Sequence, residues 1–335
     1  MLIVKTRTAS PFKLLASLLL ALAALAGLLA AEAGAATGPG QIVFVAGKAK
    51  HCKMGACPNY DLVRAVSPHG GRGRVLAKVR SAVETTSNED GTVAVLSRIV
   101  AGGGANSASF TQIYLITPGG KRIAVFPHRL QEFAATGLGI SADGKTLVLS
   151  GHYEEEHGPS KVWLVRSNGT GMHQVTTGPG SDEMPAISPN GKRIVFSRTL
   201  REKDVPGSRK PELWTVGIEG GEETRLTENG LEDVNPVFSP DGSSIAFGQL
   251  AKPAHGKVAI MRADGSGLRI VASTGGAYPD PDFAPSGRSL VFVGQIPHAR
   301  HGYEEAIYTA RSSGAGRALV TSRFEFPGLP QWTLR

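Results

Sequence analysis

From residue 41 onward the chain alternates short apolar runs with polar, glycine-bearing turns, and the alternation has a period. The runs at 93–96, 147–149, 194–196, 245–247 and 290–292 are apolar and too short for helices, so they predict inner β-strands. Each follows a turn: Asn88-Glu89-Asp90-Gly91, Ser141-Ala142-Asp143-Gly144, Ser188-Pro189-Asn190-Gly191, Ser239-Pro240-Asp241-Gly242 and Ala284-Pro285-Ser286-Gly287. The closing glycines lie 53, 47, 51 and 45 residues apart, which signals a repeat architecture. The chemistry suits a tight turn. Serine folds its hydroxyl back on the backbone, proline sets φ for the second position, and glycine takes the left-handed conformation.

Further patterns recur inside each repeat. Runs at 112–116, 161–165, 212–216, 257–261 and 306–310 read as third strands, each entering a turn such as Asn168-Gly169, Asp264-Gly265 or Gly119-Gly120. More polar fourth strands follow at 174–176, 224–227 and 268–271. Four antiparallel strands per repeat make a propeller blade. The chain ends on Leu329-Pro330-Gln331-Trp332-Thr333, which matches the first strands around Met184-Pro185 and Asn235-Pro236 but has no second strand after it. Residues 41–45 supply that second strand, and 60–66 and 74–77 the third and fourth. The expected fold is therefore all-β: a six-bladed propeller closed by pairing of the C-terminal strand with the N-terminal blade, which removes an exposed sheet edge.

These motifs resemble the TolB-like propeller family of WD40-like PD40 repeats, whose consensus is a proline, an aromatic, Ser-Pro-Asp-Gly and an apolar strand. The copy at 237–247 is nearest to it, and the one around Asp90 departs most. The resemblance spans residues 37–335 and implies a propeller without the N-terminal α/β domain of TolB. It also implies a channel mouth that receives an extended peptide.

Residues 1–36 read as a signal peptide. Lys5, Arg7 and Lys13 precede an uncharged stretch at 14–31, and Ala33-Gly34-Ala35 offers a cleavage site. The competing reading is a retained anchor, the chain's one route to a membrane. Export to the periplasm, the envelope or the medium is expected. The formal net charge is +8, and removing a segment with three basic residues and one acidic leaves +6. That mild excess, with no dense Lys/Arg stripe, suits solubility or weak attraction to anionic wall polymers and argues against nucleic-acid binding. Cys52 and Cys57 are the two cysteines, and their spacing in an exported chain suits a local disulfide. A free pair, or a metal site with His51, is the alternative.

Catalytic machinery is not visible: the sequence holds neither a G-x-S-x-G elbow nor H-E-x-x-H. The stretch from Gly139 to Thr146 matches a P-loop expression, but a strand follows it rather than a helix. Propeller topology puts the loops between second and third strands, and those joining blades, on one face. His152, Glu154, Glu155, Glu156, His157, His298, Arg300 and His301 fall there and form the candidate binding surface. One reading is that solvated loops simply collect polar residues. The other is a ring of imidazole and carboxylate able to take an anionic ligand or a divalent metal, with no cofactor otherwise expected. Asp182-Glu183, Glu232-Asp233 and Asp280-Pro281-Asp282 lead into innermost strands, and Asp182, Glu183, Asp233 and Asp280 are expected at the channel mouth, either capping strand-end amides or binding a cationic partner. Trp163, Trp214, Trp332, Tyr114, Tyr308 and Phe238 read as packing between blades. The function expected is a monomeric, non-catalytic scaffold that recognises a protein or peptide on the loop face. The alternative is a metal-dependent lyase or hydrolase acting on an acidic polysaccharide.

Overall fold

The computed structural model describes residues 41–333 except 47–59, 71–72, 81, 89, 102–107, 126–132, 154–157, 201–209, 252–255, 276–277, 299–301 and 322–326. The described residues form six four-stranded antiparallel sheets arranged as a propeller. Blade 1 runs from the C-terminal strand Pro327–Thr333, innermost, through Gln41–Ala46 and Tyr60–Val66 to Arg74–Arg80. Blade 2 comprises Ala82–Ser87, Val93–Ala101, Ala108–Ile116 and Arg122–Ala124. Blade 3 comprises Phe133–Ile140, Thr146–Tyr153, Lys161–Arg166 and His173–Gln174, and blade 4 Ser181–Ile187, Arg193–Thr199, Glu212–Gly217 and Thr224–Arg225. Blade 5 holds Glu232–Phe238, Ser244–Leu250, Gly256–Arg262 and Arg269–Ser273, and blade 6 Asp282–Phe283, Ser289–His298, Gly302–Arg311 and Ala318–Thr321. The ring closes as expected: Ile42 pairs with Trp332 and Gln41 with Thr333.

The repeated turn is built as its residue types dictate. Gly144, Gly191, Gly242 and Gly287 have φ of 69°, 67°, 70° and 69°, and each donates its N–H to the carbonyl of the first turn residue at 2.8–2.9 Å. In blade 5 the Ser239 hydroxyl donates to Asp241 Oδ1 (2.5 Å) and accepts from Ser244 N (2.9 Å), while Asp241 also accepts from Ser243 N (3.0 Å). Hydrogen bonds from Ser239 and Ser243 hold the Asp241 carboxyl below its ordinary range. The run from Gly139 to Thr146 lies in one such hairpin, so it cradles no phosphate.

The core is divided among the blade interfaces. Six apolar clusters occur among the described residues, one between each neighbouring pair of blades. Between blades 2 and 3, Leu96 and Ile113 meet Leu149 and Phe133. The Phe133, Tyr153 and Trp163 rings make three edge-to-face contacts there, with centroids 5.3, 5.6 and 5.5 Å apart. All six repeating aromatics of the sequence lie in or against these clusters, with Trp332 4% and Tyr308 8% exposed.

Blade 4 also buries a charged network on its side towards blade 3. Asp182 accepts two bonds from the Arg198 guanidinium (2.5 and 2.8 Å), and Arg198 Nη1 donates to Glu223 Oε2 (2.5 Å). Lys161 Nζ donates to the Gly178 and Gly180 carbonyls (2.6 and 2.8 Å), tying down the connector between the blades. Arg198, 1% exposed, also lies over the Phe196 and Trp214 rings at 5.1 and 5.0 Å.

Candidate functional site

The innermost strands surround a central cavity of about 150 Å³, and the hairpin turns index what faces it. Counting back four residues from each turn's first residue gives Glu84, Gly137, Met184, Asn235 and Asp280. Counting back two gives Thr86, Gly139, Ala186, Val237 and Asp282. All of these except Gly137 line the cavity, with Gln331 from the closing strand. The channel wall is thus two rings of register-equivalent positions. At most of the upper ring the strand is irregular. Pairing shifts at 82–84, 135–137, 183–186 and 234–237, and Met184, Asn235 and Asp280 have φ of 55°, 51° and 38°. A bulge re-aims the side chain it carries, here into the channel, and left-handed backbone at a non-glycine residue costs about 1–3 kcal/mol. That cost is met at three consecutive blades.

Blades 2 and 6 make the cavity acidic. Glu84, Asp280 and Asp282 line it, and no lysine, arginine or histidine is among the described lining residues. Burial pushes the Glu84 carboxyl up to about 8, with a smaller push from Asp280. Burial also raises Asp280 to about 7, helped by the nearby Glu305, and Asp282 to about 7. None is left without a donor. Leu138 N donates to Glu84, the Asn235 amide to Asp280 across the boundary of blades 5 and 6, and Trp332 N to Asp282 Oδ2 (2.6 Å). The carboxyls are held in place with no cation among the described wall residues, so burial makes them keep their protons to higher pH than usual, and a cationic guest would draw those protons off. The arrangement fits a cationic or hydrogen-bond-donating guest.

The family model for the TolB beta propeller domain matches residues 160–326. The chain is a TolB-like β-propeller. TolB from Acinetobacter baumannii superposes with a TM-score of 0.67 over 88% of this chain and 66% of that one, at 19% identity, a likeness of fold. An uncharacterized protein of Agrobacterium fabrum is 31% identical over 157 residues, 46% of this chain and 49% of the relative. The Tol-Pal system protein TolB of Rhizorhabdus wittichii is 35% identical over 83 residues, 25% of this chain and 17% of the relative. The match thus spans half or less of these curated relatives.

The TolB-like frame sorts the residues singled out in the sequence. Asp280 lines the channel. Glu183 is half-buried beside the upper ring, its carboxyl raised by burial and by Asp182. Asp182 and Asp233, expected at the channel mouth, are instead 0% exposed and turned away from it. Asp182 is locked to Arg198, and Asp233 accepts from Asn229 Nδ2 (2.7 Å) and Gln249 Nε2 (3.1 Å). The bulge is the reason: it breaks the two-residue alternation, so positions 182 and 184 do not share a face as they would in a regular strand. His152 is half-buried at the end of a strand, and its Nδ1 is enclosed with no hydrogen-bond partner. His298 ends the second strand of blade 6. Glu154, Glu155, Glu156, His157, Arg300, His301, Cys52, Cys57 and the segment 1–36 lie outside the described residues. Asp282, which follows Asp280 into its innermost strand, lines the channel with it. Glu84 is a channel residue that sequence reading missed, and its signal is the fixed distance back from the turn.

Proposed function

We propose that this protein is an exported, non-catalytic scaffold that receives a basic, extended segment of a partner protein in its channel. The observation that carries the reading is the set of three carboxyls on a wall with no described basic residue. The likeness to TolB supports a protein partner, and the segment 1–36 supports export. The strained upper ring supports a built site, since left-handed Met184, Asn235 and Asp280 persist at successive blades against their backbone cost. A lysine or arginine of the guest would meet Asp280 and Glu84, while guest backbone amides would find acceptors at Asn235 and Gln331.

The test is capture followed by substitution. A photo-crosslinker at Tyr278, 57% exposed and two residues before Asp280, should trap a partner segment from the envelope fraction. A synthetic peptide of that segment should bind about tenfold more weakly to Glu84→Gln with Asp280→Asn than to the native protein, equivalent to roughly 1.4 kcal/mol. Binding should also strengthen between about pH 6 and pH 8, because the channel carboxyls lose their protons over that range. Equal binding by the double variant, or a trapped segment rich in Asp and Glu, would overturn the reading.

A further inference from the structure

The hairpin-turn face of the propeller carries clefts where adjacent blades meet, and two of them differ in charge. Between blades 3 and 4 the cleft has a volume of about 350 Å³, and no lysine or arginine is among its described lining residues. Between blades 5 and 6 it reaches about 520 Å³, and Arg269 and Arg288 both line it. That volume lies within the range of small-ligand pockets, roughly 300–1,000 Å³.

We propose that the cleft between blades 5 and 6 binds an oxyanion, a phosphate or carboxylate carried on a ring-sized group. Arg269 uses Nη2 to reach the Ser312 carbonyl (2.5 Å), which fixes its guanidinium at the blade boundary. Arg288 occupies the position after the turn glycine, and the Ser312 backbone N–H donates to its carbonyl (2.8 Å). Neither guanidinium has a carboxylate partner among the described residues. The one carboxylate on the described wall, Asp241, is already held by the Ser239 and Ser243 hydroxyls. The cleft therefore carries two cations against one carboxylate, and an oxyanion balances the excess. Guanidinium groups suit such guests because their planar donors match two oxygens at once. The Ser286 and Ser312 hydroxyls add donors, while Phe283 and Pro285 give an apolar wall for the ring that carries the charge. The site opens on the turn face, away from the loop-side mouth of the channel.

Repetition provides the control. Lys192 holds in blade 4 the position that Arg288 holds in blade 6: each follows its turn glycine and accepts from a backbone N–H after the third strand, Ile218 or Ser312. Lys192 does not line the cleft between blades 3 and 4. The experiment is calorimetric titration of the full chain at low salt with inorganic phosphate, glucuronate and neutral glucose. Phosphate should bind saturably, glucuronate should bind more tightly if the carrier is a sugar acid, and glucose should not bind. Arg288→Ala should weaken anion binding about tenfold or more with an unchanged melting temperature, Arg288→Lys should recover part of it, and Lys192→Ala should leave it intact. Anion binding that survives Arg288→Ala, falls equally with Lys192→Ala, or never saturates would overturn the proposal.

Discussion

At the scale of single residues the molecule turns on close approaches and paired charges. A Cβ on Gly137 would stand 2.5 Å from Ser150 Oγ and 3.1 Å from Met184 N, because the inner strands of blades 3 and 4 pack backbone to backbone there. Gly137→Ala should cost about 1–3 kcal/mol in denaturant unfolding. Gly119→Ala, with 3.9 Å of clearance, should stay within about 0.5 kcal/mol. Removing Arg198 should do more. Arg198→Met leaves Asp182 buried without its guanidinium, and breaking such a pair costs about 3–5 kcal/mol. The double change Arg198→Met with Asp182→Leu should recover most of that loss, and failure to recover would mean the network acts through packing alone. Neither residue advertises this role in the sequence. Arg198 is one of many arginines in strands, and its partners lie 16 and 25 residues away.

At the scale of elements, turn chemistry is local and therefore readable, whereas strand ends are set by neighbours. The inner and third strands fall where their apolar runs predict. The outer strands are shorter than their sequence suggests: His173–Gln174 and Thr224–Arg225 are ladder pairs. The following Val175 and Leu226 donate to Val162 and Leu213 after the regular pairing has ended. The closing strand is the element with the largest consequence. Pro327–Thr333 covers the edge of Gln41–Ala46, Asp282 accepts the Trp332 N–H, and Trp332 fills the cluster between blades 6 and 1. Deleting residues 327–335 should expose that edge, lower the melting temperature and produce self-association by size-exclusion chromatography. A monodisperse truncation with native melting would show that the ring does not depend on this closure.

For the whole molecule, channel electrostatics and stability are linked. Glu84, Asp280 and Asp282 sit above their ordinary values of 4.5, 3.8 and 3.8, so the folded state binds their protons more readily than the unfolded chain. Their contribution is intact below the unfolded values and is lost as pH rises through about 7 to 8. Melting temperature should therefore fall between about pH 5.5 and pH 8.5, and Glu84→Gln should flatten the slope. A profile that rises over this interval, or is unchanged in the variant, would contradict the placement of these carboxyls. Among the described residues no helix is long and apolar enough to cross a membrane. The chain is +8 overall, yet no lysine, arginine or histidine is among the described residues of the channel wall.

The sequence by itself determined the blade: its turns, its apolar strands, its count of six and the strand that closes the ring, because each follows from residue types within a few positions of one another. The tertiary structure alone decided which side chains share the channel and the turn-face clefts. Residues about fifty apart become neighbours only when blades assemble, and a one-residue bulge reverses which face a side chain meets. That is why Asp182 and Asp233 went to the blade interior while Glu84, unmarked in the chain, came to the centre beside Asp280 and Asp282.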